Sequence, residues 1–257
     1  MGTIIAVANQ KGGVGKTTTA VNLCAALARR NKQVLLVDCD PQGNATTGMG
    51  LKKSKITGIY DVMFRGVAAA EAVTLTKYGA VLGSNTELAG ANVEMVELEG
   101  REYILKERLA PLRENYEYIF IDCPPSLELL TLNALAAADR VLVPVQCEFY
   151  ALEGLSDLTG TLRLVTQRMN PALEIEGMVL TMYDKRTKLS SDVQDALRER
   201  FPGLVYKTMI PRSVRLGEAP SHGKPCVAYD RDNKGSKAYI ELAAEFLKRE
   251  RKRTVNG

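Results

Sequence analysis

The chain has 257 residues, of which 46% are hydrophobic and 25% are charged. These proportions are typical of a globular protein and exclude a disordered or fibrous chain. The formal net charge of +4 is unevenly distributed, because segments 183–215 and 248–257 each carry a surplus of +4 and the remainder is acidic. The length predicts a single domain over 1–257, with 248–257 as a frayed basic tail.

Two scarce residue types restrict the chemistry. The only histidine is His222, which argues against triads with a histidine base and against zinc sites of the H-E-x-x-H type. The five cysteines form no C-x-x-C pair and lie in apolar stretches, as buried free thiols of a reducing compartment do.

No uncharged apolar run approaches the ~20 residues of a membrane span. We therefore expect a soluble, cytoplasmic protein.

Short apolar runs alternate along the chain with helical patterns. The runs predict strands at 4–9, 34–37, 119–121, 141–143, 177–182 and 205–210. The helical spacing predicts helices at about 17–30, 87–115, 127–137, 150–169, 190–201 and 236–252. This alternation predicts an α/β fold with a mostly parallel, twisted sheet and helices on both faces. Segment 51–85 fits helix, loop or a short strand equally well.

A glycine-rich loop separates the first strand from the first helix. Residues 10–18 read Gln-Lys-Gly-Gly-Val-Gly-Lys-Thr-Thr, and a backbone of this kind at a helix N-terminus can enclose a phosphate chain. Lys16 would reach the β- and γ-phosphates, and Thr17 would bind Mg²⁺. The usual pattern requires glycine where this chain has Gln10, and Lys11 adds an early lysine. The alternative is a glycine-rich turn with solvated lysines.

Three aspartates follow predicted strands at the same edge of the sheet as this loop. Asp122 ends the third strand, and its carboxylate can hold a magnesium-bound water. Asp38 and Asp40 follow the second strand, and one of them could orient the attacking water. The alternative for each is a helix or turn cap. Together with the phosphate loop, the three predict a P-loop NTPase-like nucleotide site.

The loop 11–17, Lys-Gly-Gly-Val-Gly-Lys-Thr, resembles the deviant-Walker-A ATPases, the superfamily of ParA, MinD and the nitrogenase iron protein. Within that superfamily the chain is most similar to chromosomal ParA/Soj-type partition ATPases. The resemblance extends from residue 3 to about 247 and includes the segments 37–46, 121–126, 144–148, 150–155 and 210–225.

This resemblance implies roles for individual residues. Lys11 would reach across an ATP-bound dimer to the partner's nucleotide, Thr18 would contact the α-phosphate, and Asp40 would position the hydrolytic water. Thr17 would bind Mg²⁺, with Asp40 and Asp122 acting through water. The nucleotide-binding set is Lys11, Gly12, Gly13, Val14, Gly15, Lys16, Thr17 and Thr18, with Pro211 and Ser213 at the adenine; relatives often have asparagine where this chain has Ser213.

The resemblance also implies partners. MgATP would drive homodimerisation and non-specific DNA binding through Arg186 and Arg215, which places the protein on the nucleoid. A ParB-type centromere-binding protein would stimulate slow ATP hydrolysis, in chromosome or plasmid segregation.

Other interpretations remain open. Segment 183–215 is alternatively a solvated face with local ion pairs, and the basic tail an additional DNA-phosphate arm. A nucleotide-gated DNA-binding scaffold would hydrolyse ATP only incidentally. A MinD-like membrane ATPase would need an apolar face on the C-terminal helix, yet only Val255 is strongly apolar after Leu247. We therefore expect no stable membrane association.

Overall fold

A seven-stranded sheet organises the protein, whose computed structural model describes residues 1–148 and 151–256, without the side chains of 151–157 and 256. The strands are β1 (Thr3–Val7), β2 (Val34–Asp38), β3 (Val73–Thr76), β4 (Gly79–Leu82), β5 (Tyr118–Asp122), β6 (Arg140–Gln146) and β7 (Glu174–Thr181). Their order across the sheet is β3-β4-β2-β5-β1-β6-β7, and every neighbouring pair is parallel except the β3–β4 hairpin. The predicted fold class is confirmed.

Helices connect the strands. They are α1 (Lys16–Ala28), α2 (Asn44–Gly48), α3 (Ile59–Phe64), α4 (Ala69–Ala72), α5 (Ala91–Glu94), α6 (Ile104–Leu109), α7 (Leu129–Ala137), α8 (Ala151–Arg168), α9 (Lys188–Arg200), α10 (Val214–Glu218), α11 (Cys226–Tyr229) and α12 (Lys234–Asn256). Single 3₁₀ turns lie at Lys53–Lys55, Thr86–Gly90, Met95–Glu97, Ala110–Glu114 and Ala219–His222. Within the described ranges no helix is long and apolar enough to cross a membrane.

The central strands are buried on both faces, which explains their continuous apolar runs. Alternate residues point to opposite sides, so Ile5 and Phe120 pack in the layer that includes α1 and α12. Ile4 and Ile119 pack in the opposite layer, which includes α6 and α7. All five cysteines are buried free thiols, as predicted.

The apolar run at 205–210 was predicted to be a strand, and this prediction is wrong. The segment runs beside β7 but forms only isolated bridges, Met178 with Val205 and Tyr183 with Pro211. The backbone N–H groups of Lys207 and Thr208 donate instead to the Glu245 carboxylate of α12, each at 2.8 Å. A side chain thus replaces the neighbouring strand as acceptor, and the ladder is interrupted.

The helix predicted over 87–115 is also wrong as one element. This stretch consists of α5, α6 and three 3₁₀ turns. Gly100 has φ +64, in the left-handed region, and Pro111 lies in the last 3₁₀ turn. Both residues interrupt helical hydrogen bonding. The uncertain segment 51–85 contains α3, α4 and the β3–β4 hairpin.

The sequence predicted that the basic C-terminal segment is frayed. In the structure this segment instead continues α12 to Asn256. Arg253 reaches the buried Glu176 of β7, which also forms an ion pair with Arg140 at 2.6 Å and accepts from the Tyr206 hydroxyl at 2.7 Å. Arg249 lies 3.7 Å from the centroid of the Tyr206 ring. Part of the basic tail therefore anchors the helix to the sheet.

We predict that Glu176→Ala lowers the free energy of unfolding by about 2 kcal/mol, because the buried Tyr206 hydroxyl loses its acceptor and Arg140 loses one of its two carboxylates, although Glu250 still pairs with both arginines. Urea denaturation measures this change. Lys252→Ala, at an exposed position on the same helix, is the matched control and should change stability by less than about 0.5 kcal/mol. Equal effects of the two substitutions would contradict this account of the tail.

Candidate functional site

Three adjacent strands place the predicted site residues at one edge of the sheet. β5 lies between β1 and β2, and Asp122 is in register with Val7 on one side and with Asp38 on the other. The glycine-rich loop follows β1 directly. The loop and the aspartates are therefore brought together by strand pairing, at the carboxyl edge where parallel sheets bind ligands.

Glycine and two anchoring contacts determine the path of the loop. Gly13 and Gly15 have φ values of +74 and +89, which other residues rarely adopt. Asn9 donates to the Pro144 carbonyl at 2.8 Å and accepts from the Lys11 amide at 3.0 Å, which ties the start of the loop to β6. The Thr181 hydroxyl at the end of β7 donates to the Val14 carbonyl at 2.8 Å. Gly12 is exposed at the surface of this loop.

Lys16 begins α1 and is buried beneath the loop. Its Nζ donates to the Lys11 carbonyl at 3.1 Å. Burial lowers the pKa of Lys16. The charges of the nearby Asp122, Cys123 and Asp40 offset part of this decrease by raising the pKa. A desolvated cation surrounded by loop carbonyls and carboxylates is suited to binding a phosphate.

Lys11 is held more loosely. Its Nζ forms an ion pair with Glu148 at 2.8 Å, and the two side chains are 35% and 44% exposed. Glu148 also accepts from the amide of Gln146. An ion pair this exposed contributes ~1 kcal/mol or less, so a more highly charged anion can displace Glu148.

Asp38 and Asp40 have different environments. Asp38 accepts from the Thr46 amide and the Thr46 hydroxyl, both at 2.7 Å, and from the Asp40 amide at 3.2 Å. Burial raises the pKa of Asp38 to about 6, although the bonds from Thr46 oppose the rise. Within the described residues, the Asp40 carboxylate accepts a hydrogen bond only from the Gln42 amide, at 2.9 Å. Asp38 therefore orders the loop after β2, while Asp40 retains acceptor capacity at the site.

Asp122 is fully buried, and neither of its carboxylate oxygens has a hydrogen-bond partner in the described part of the chain. Burial, together with the neighbouring Asp38, raises the pKa of Asp122, while the Thr17 hydroxyl and Lys16 act in the opposite direction. Carboxylate and water oxygens are the ligands that Mg²⁺ prefers. Two unpaired carboxylate oxygens near a half-buried threonine hydroxyl thus fit this ion.

The predicted adenine and DNA residues line one cleft. Pro211, Ser213, Arg186 and Arg215 surround a space of about 870 Å³ beyond the end of β7. The Ser213 hydroxyl donates to Asn233 at 2.7 Å. Thr17 and Thr18 line a second, smaller cleft of about 230 Å³ between α1 and α2. The residues predicted to bind adenine and those predicted to bind DNA are thus neighbours in the larger cleft.

Both arginines are paired with acidic residues. Arg186, whose side chain is 83% exposed, makes two hydrogen bonds to Asp184 at 2.9 and 2.7 Å. Arg215 contacts Glu218 at 2.7 Å and Asp230 at 3.4 Å. These acids raise the pKa of each guanidinium. The ion pairs are exposed, so phosphate oxygens can replace the carboxylates at low cost.

Three further residues shape the site and are not predicted from the sequence, namely Asn9, Thr46 and Thr181. Asn9 is a polar residue directly after an apolar strand, a signal of the kind that identified the aspartates. Thr46 and Thr181 act through contacts between distant segments, which spacing does not reveal. Segment 150–155, part of the family resemblance, lies outside the residues whose side chains the structure describes.

Comparisons with known proteins agree on one family. A family model described as an AAA domain matches residues 2–175. The sporulation initiation inhibitor protein Soj of Bacillus subtilis is 52% identical, over 95% of this chain and 98% of its own. The chromosome partitioning protein ParA of Myxococcus xanthus is 51% identical, over 97% of this chain and 89% of its own.

A solved structure also matches nearly the whole chain. The cobyrinic acid a,c-diamide synthase of Mycobacterium smegmatis, crystallised with ADP and magnesium, superposes with a TM-score of 0.85 at 39% identity. The match covers 98% of this chain and 96% of that one.

We predict that Asp38→Ala lowers the free energy of unfolding by about 2–4 kcal/mol, because two donors of Thr46 lose their acceptor in a buried site. Asp40→Ala, the matched control two residues away, loses one partly buried hydrogen bond and should cost about 1 kcal/mol or less. Urea denaturation without nucleotide measures both. A larger loss for Asp40→Ala would reverse the two assignments.

Proposed function

Because the chain belongs to the ParA/Soj family of chromosome-partitioning ATPases, we propose that it is a nucleotide switch in DNA segregation. It is a P-loop ATPase, and ATP and Mg²⁺ are its cofactors. In the switch, MgATP promotes dimerisation and non-specific DNA binding, and hydrolysis stimulated by a ParB-type partner reverses both. The observation that carries the proposal is the convergence of the phosphate loop, Asp40 and the unpaired Asp122 at one sheet edge.

In this proposal the loop amides of residues 12–18 bind the phosphates, with Thr18 at the α-phosphate and Lys16 at the β- and γ-phosphates. Thr17 would hold Mg²⁺ through its hydroxyl, and Asp122 and Asp40 would hold it through water. The ion neutralises charge on the β- and γ-phosphate oxygens when bound. Asp40 orients the attacking water, for which its remaining acceptor capacity suits it. The water oxygen bonds to the γ-phosphorus while the bond from that phosphorus to the bridging oxygen breaks; ADP leaves with the bridging oxygen, and the γ-phosphoryl group leaves as inorganic phosphate with the atoms of water.

The dimer step depends on Lys11. Its exposed ion pair with Glu148 is weak enough to exchange for the triphosphate of a second subunit. A cation supplied in trans stabilises charge in phosphoryl transfer. Dimerisation and ATP binding would then share free energy, so each favours the other.

The DNA step depends on Arg186 and Arg215. Both line the cleft that also contains Pro211 and Ser213, our candidates for the adenine contacts. Nucleotide at this cleft would therefore adjoin the DNA-binding side chains. A dimer doubles the number of arginines, which strengthens binding to phosphates without requiring a base-specific helix.

We predict that Asp40→Ala lowers ATP turnover by about two orders of magnitude, because the attacking water is no longer oriented. MgATP binding should persist, and the variant should remain on DNA as a dimer. Phosphate release and sedimentation with DNA measure the two properties. Lys16→Ala is the control and should lose MgATP binding and DNA association together. Wild-type turnover by Asp40→Ala would contradict the assignment of Asp40 to the attacking water.

We also predict that Arg186→Ala combined with Arg215→Ala weakens DNA binding while ATP-dependent dimerisation is retained. Each lost phosphate contact should lower the slope of log affinity against log salt by ~0.9. Arg108→Ala, at an exposed arginine of α6, is the matched control. Binding isotherms over a salt series decide the matter, and an unchanged slope in the double variant would contradict the assignment.

A further inference from the structure

One exposed surface of the protein combines apolar and acidic side chains. It lies on α5, on the 3₁₀ turn after it and on the two residues that follow. Val93, Val96 and Leu98 are 77%, 56% and 44% exposed. Ala91 and Met95 of the same segment are fully buried and anchor it to the core. Val93 and Val96 are three residues apart on helical backbone and therefore lie on one face. A cluster of exposed apolar side chains with a polar rim is typical of a binding surface.

The rim of this surface is mostly acidic, with one cation at its edge, because Arg101 donates to the Val96 carbonyl and pairs with Glu102. Residues 86–99 contain four glutamates and neither lysine nor arginine. Glu87 pairs with Arg65, and Glu94 accepts from the Tyr60 hydroxyl. Glu97 and Glu99 are exposed and have no ion pair within the described residues. We call Val93, Glu94, Val96, Glu97, Leu98 and Glu99 the acidic apolar patch.

The patch is connected to the segment that follows Asp122. Asn92, between the buried Ala91 and the exposed Val93, accepts from the Leu130 amide at 3.1 Å. The Asn92 amide also donates to Glu128. Met95 contacts the Asn133 amide of α7 through its sulfur at 3.4 Å. A ligand bound to the patch would therefore be linked, through Asn92 and Met95, to the segment that continues from Asp122 into α7.

We propose that the acidic apolar patch is the docking surface for a basic, amphipathic segment of the protein partner that controls ATP turnover. The occupant follows from complementarity, since apolar side chains at helical spacing would cover Val93, Val96 and Leu98, and Lys or Arg beside them would meet Glu97 and Glu99. This inference rests on the proposed function only in naming that partner.

A second copy of this chain fits the patch less well. An isologous dimer built on it would bring the acidic patch of one copy against the acidic patch of the other. Such like-charge contacts oppose association. A partner of opposite charge has no such penalty.

The test uses the full chain and the purified ParB-type protein of the same organism. Glu97→Lys with Glu99→Lys reverses the charge, and Val93→Ser with Val96→Ser removes the apolar contacts. Binding is measured by biolayer interferometry with MgATP at low and at physiological salt. We expect each pair to weaken binding about tenfold or more, and the charge reversal to abolish its salt dependence. Partner-stimulated ATP turnover should be lost while basal turnover is unchanged.

Matched controls lie elsewhere on the surface. Glu241→Lys reverses an exposed charge on α12, and Leu75→Ser removes an apolar side chain that is 80% exposed on β3; both should bind normally. Binding by the patch variants within about twofold of the unsubstituted protein would overturn the proposal, as would no binding by the unsubstituted protein. A shift of the monomer–dimer equilibrium in the patch variants, seen by sedimentation velocity, would assign the patch to a second copy instead. Basal turnover and DNA binding of the unsubstituted chain test the proposed function separately.

Discussion

The pairing of β5 with β1 on one side and β2 on the other is the constraint on which the site depends. It sets Val7, Asp38 and Asp122 in register, so the loop after β1 and the carboxylates after β2 and β5 share one edge. The three strands are buried on both faces, and a one-residue register shift would exchange the side chains that pack in the two apolar layers. The same hydrophobic burial that stabilises the sheet therefore fixes the geometry of the nucleotide site.

That geometry places carboxylates close together in a buried environment. Burial raises the pKa of both Asp38 and Asp122, and repulsion adds to the rise, from Asp40 at Asp38 and from Asp38 and Asp40 at Asp122. Asp38 is compensated by hydrogen bonds from Thr46, whereas Asp122 has none among the described residues. A buried carboxyl whose burial is offset only in part, by Lys16 and the Thr17 hydroxyl, costs stability. Binding of Mg²⁺ with nucleotide would relieve that cost, which links ligand binding to the stability of the sheet edge.

The basic residues of the protein fall into two groups, those that stabilise the fold and those that are exposed to a ligand. Of the basic residues in the C-terminal segment, Arg249 and Arg253 contact β7 and its neighbouring segment, while Lys248, Arg251 and Lys252 are exposed. The surplus near Arg186 and Arg215 is held in exposed ion pairs at the cleft, where phosphate can compete for it. The net charge of +4 thus combines cations that stabilise the fold with cations available to a ligand.

The sequence by itself determined the fold class, the phosphate loop, the lysines and aspartates at the site, and the family, because these depend on local patterns and on the spacing of short motifs. Tertiary structure decided which aspartate has free acceptor capacity, since Thr46 reaches Asp38 only after α2 folds back. It also showed that segment 207–208 bonds to Glu245 rather than to β7, and that α12 remains helical to Asn256 through contacts with Glu176. Each of these outcomes depends on a hydrogen bond or ion pair between segments that are distant in the chain, and no local pattern specifies such a contact.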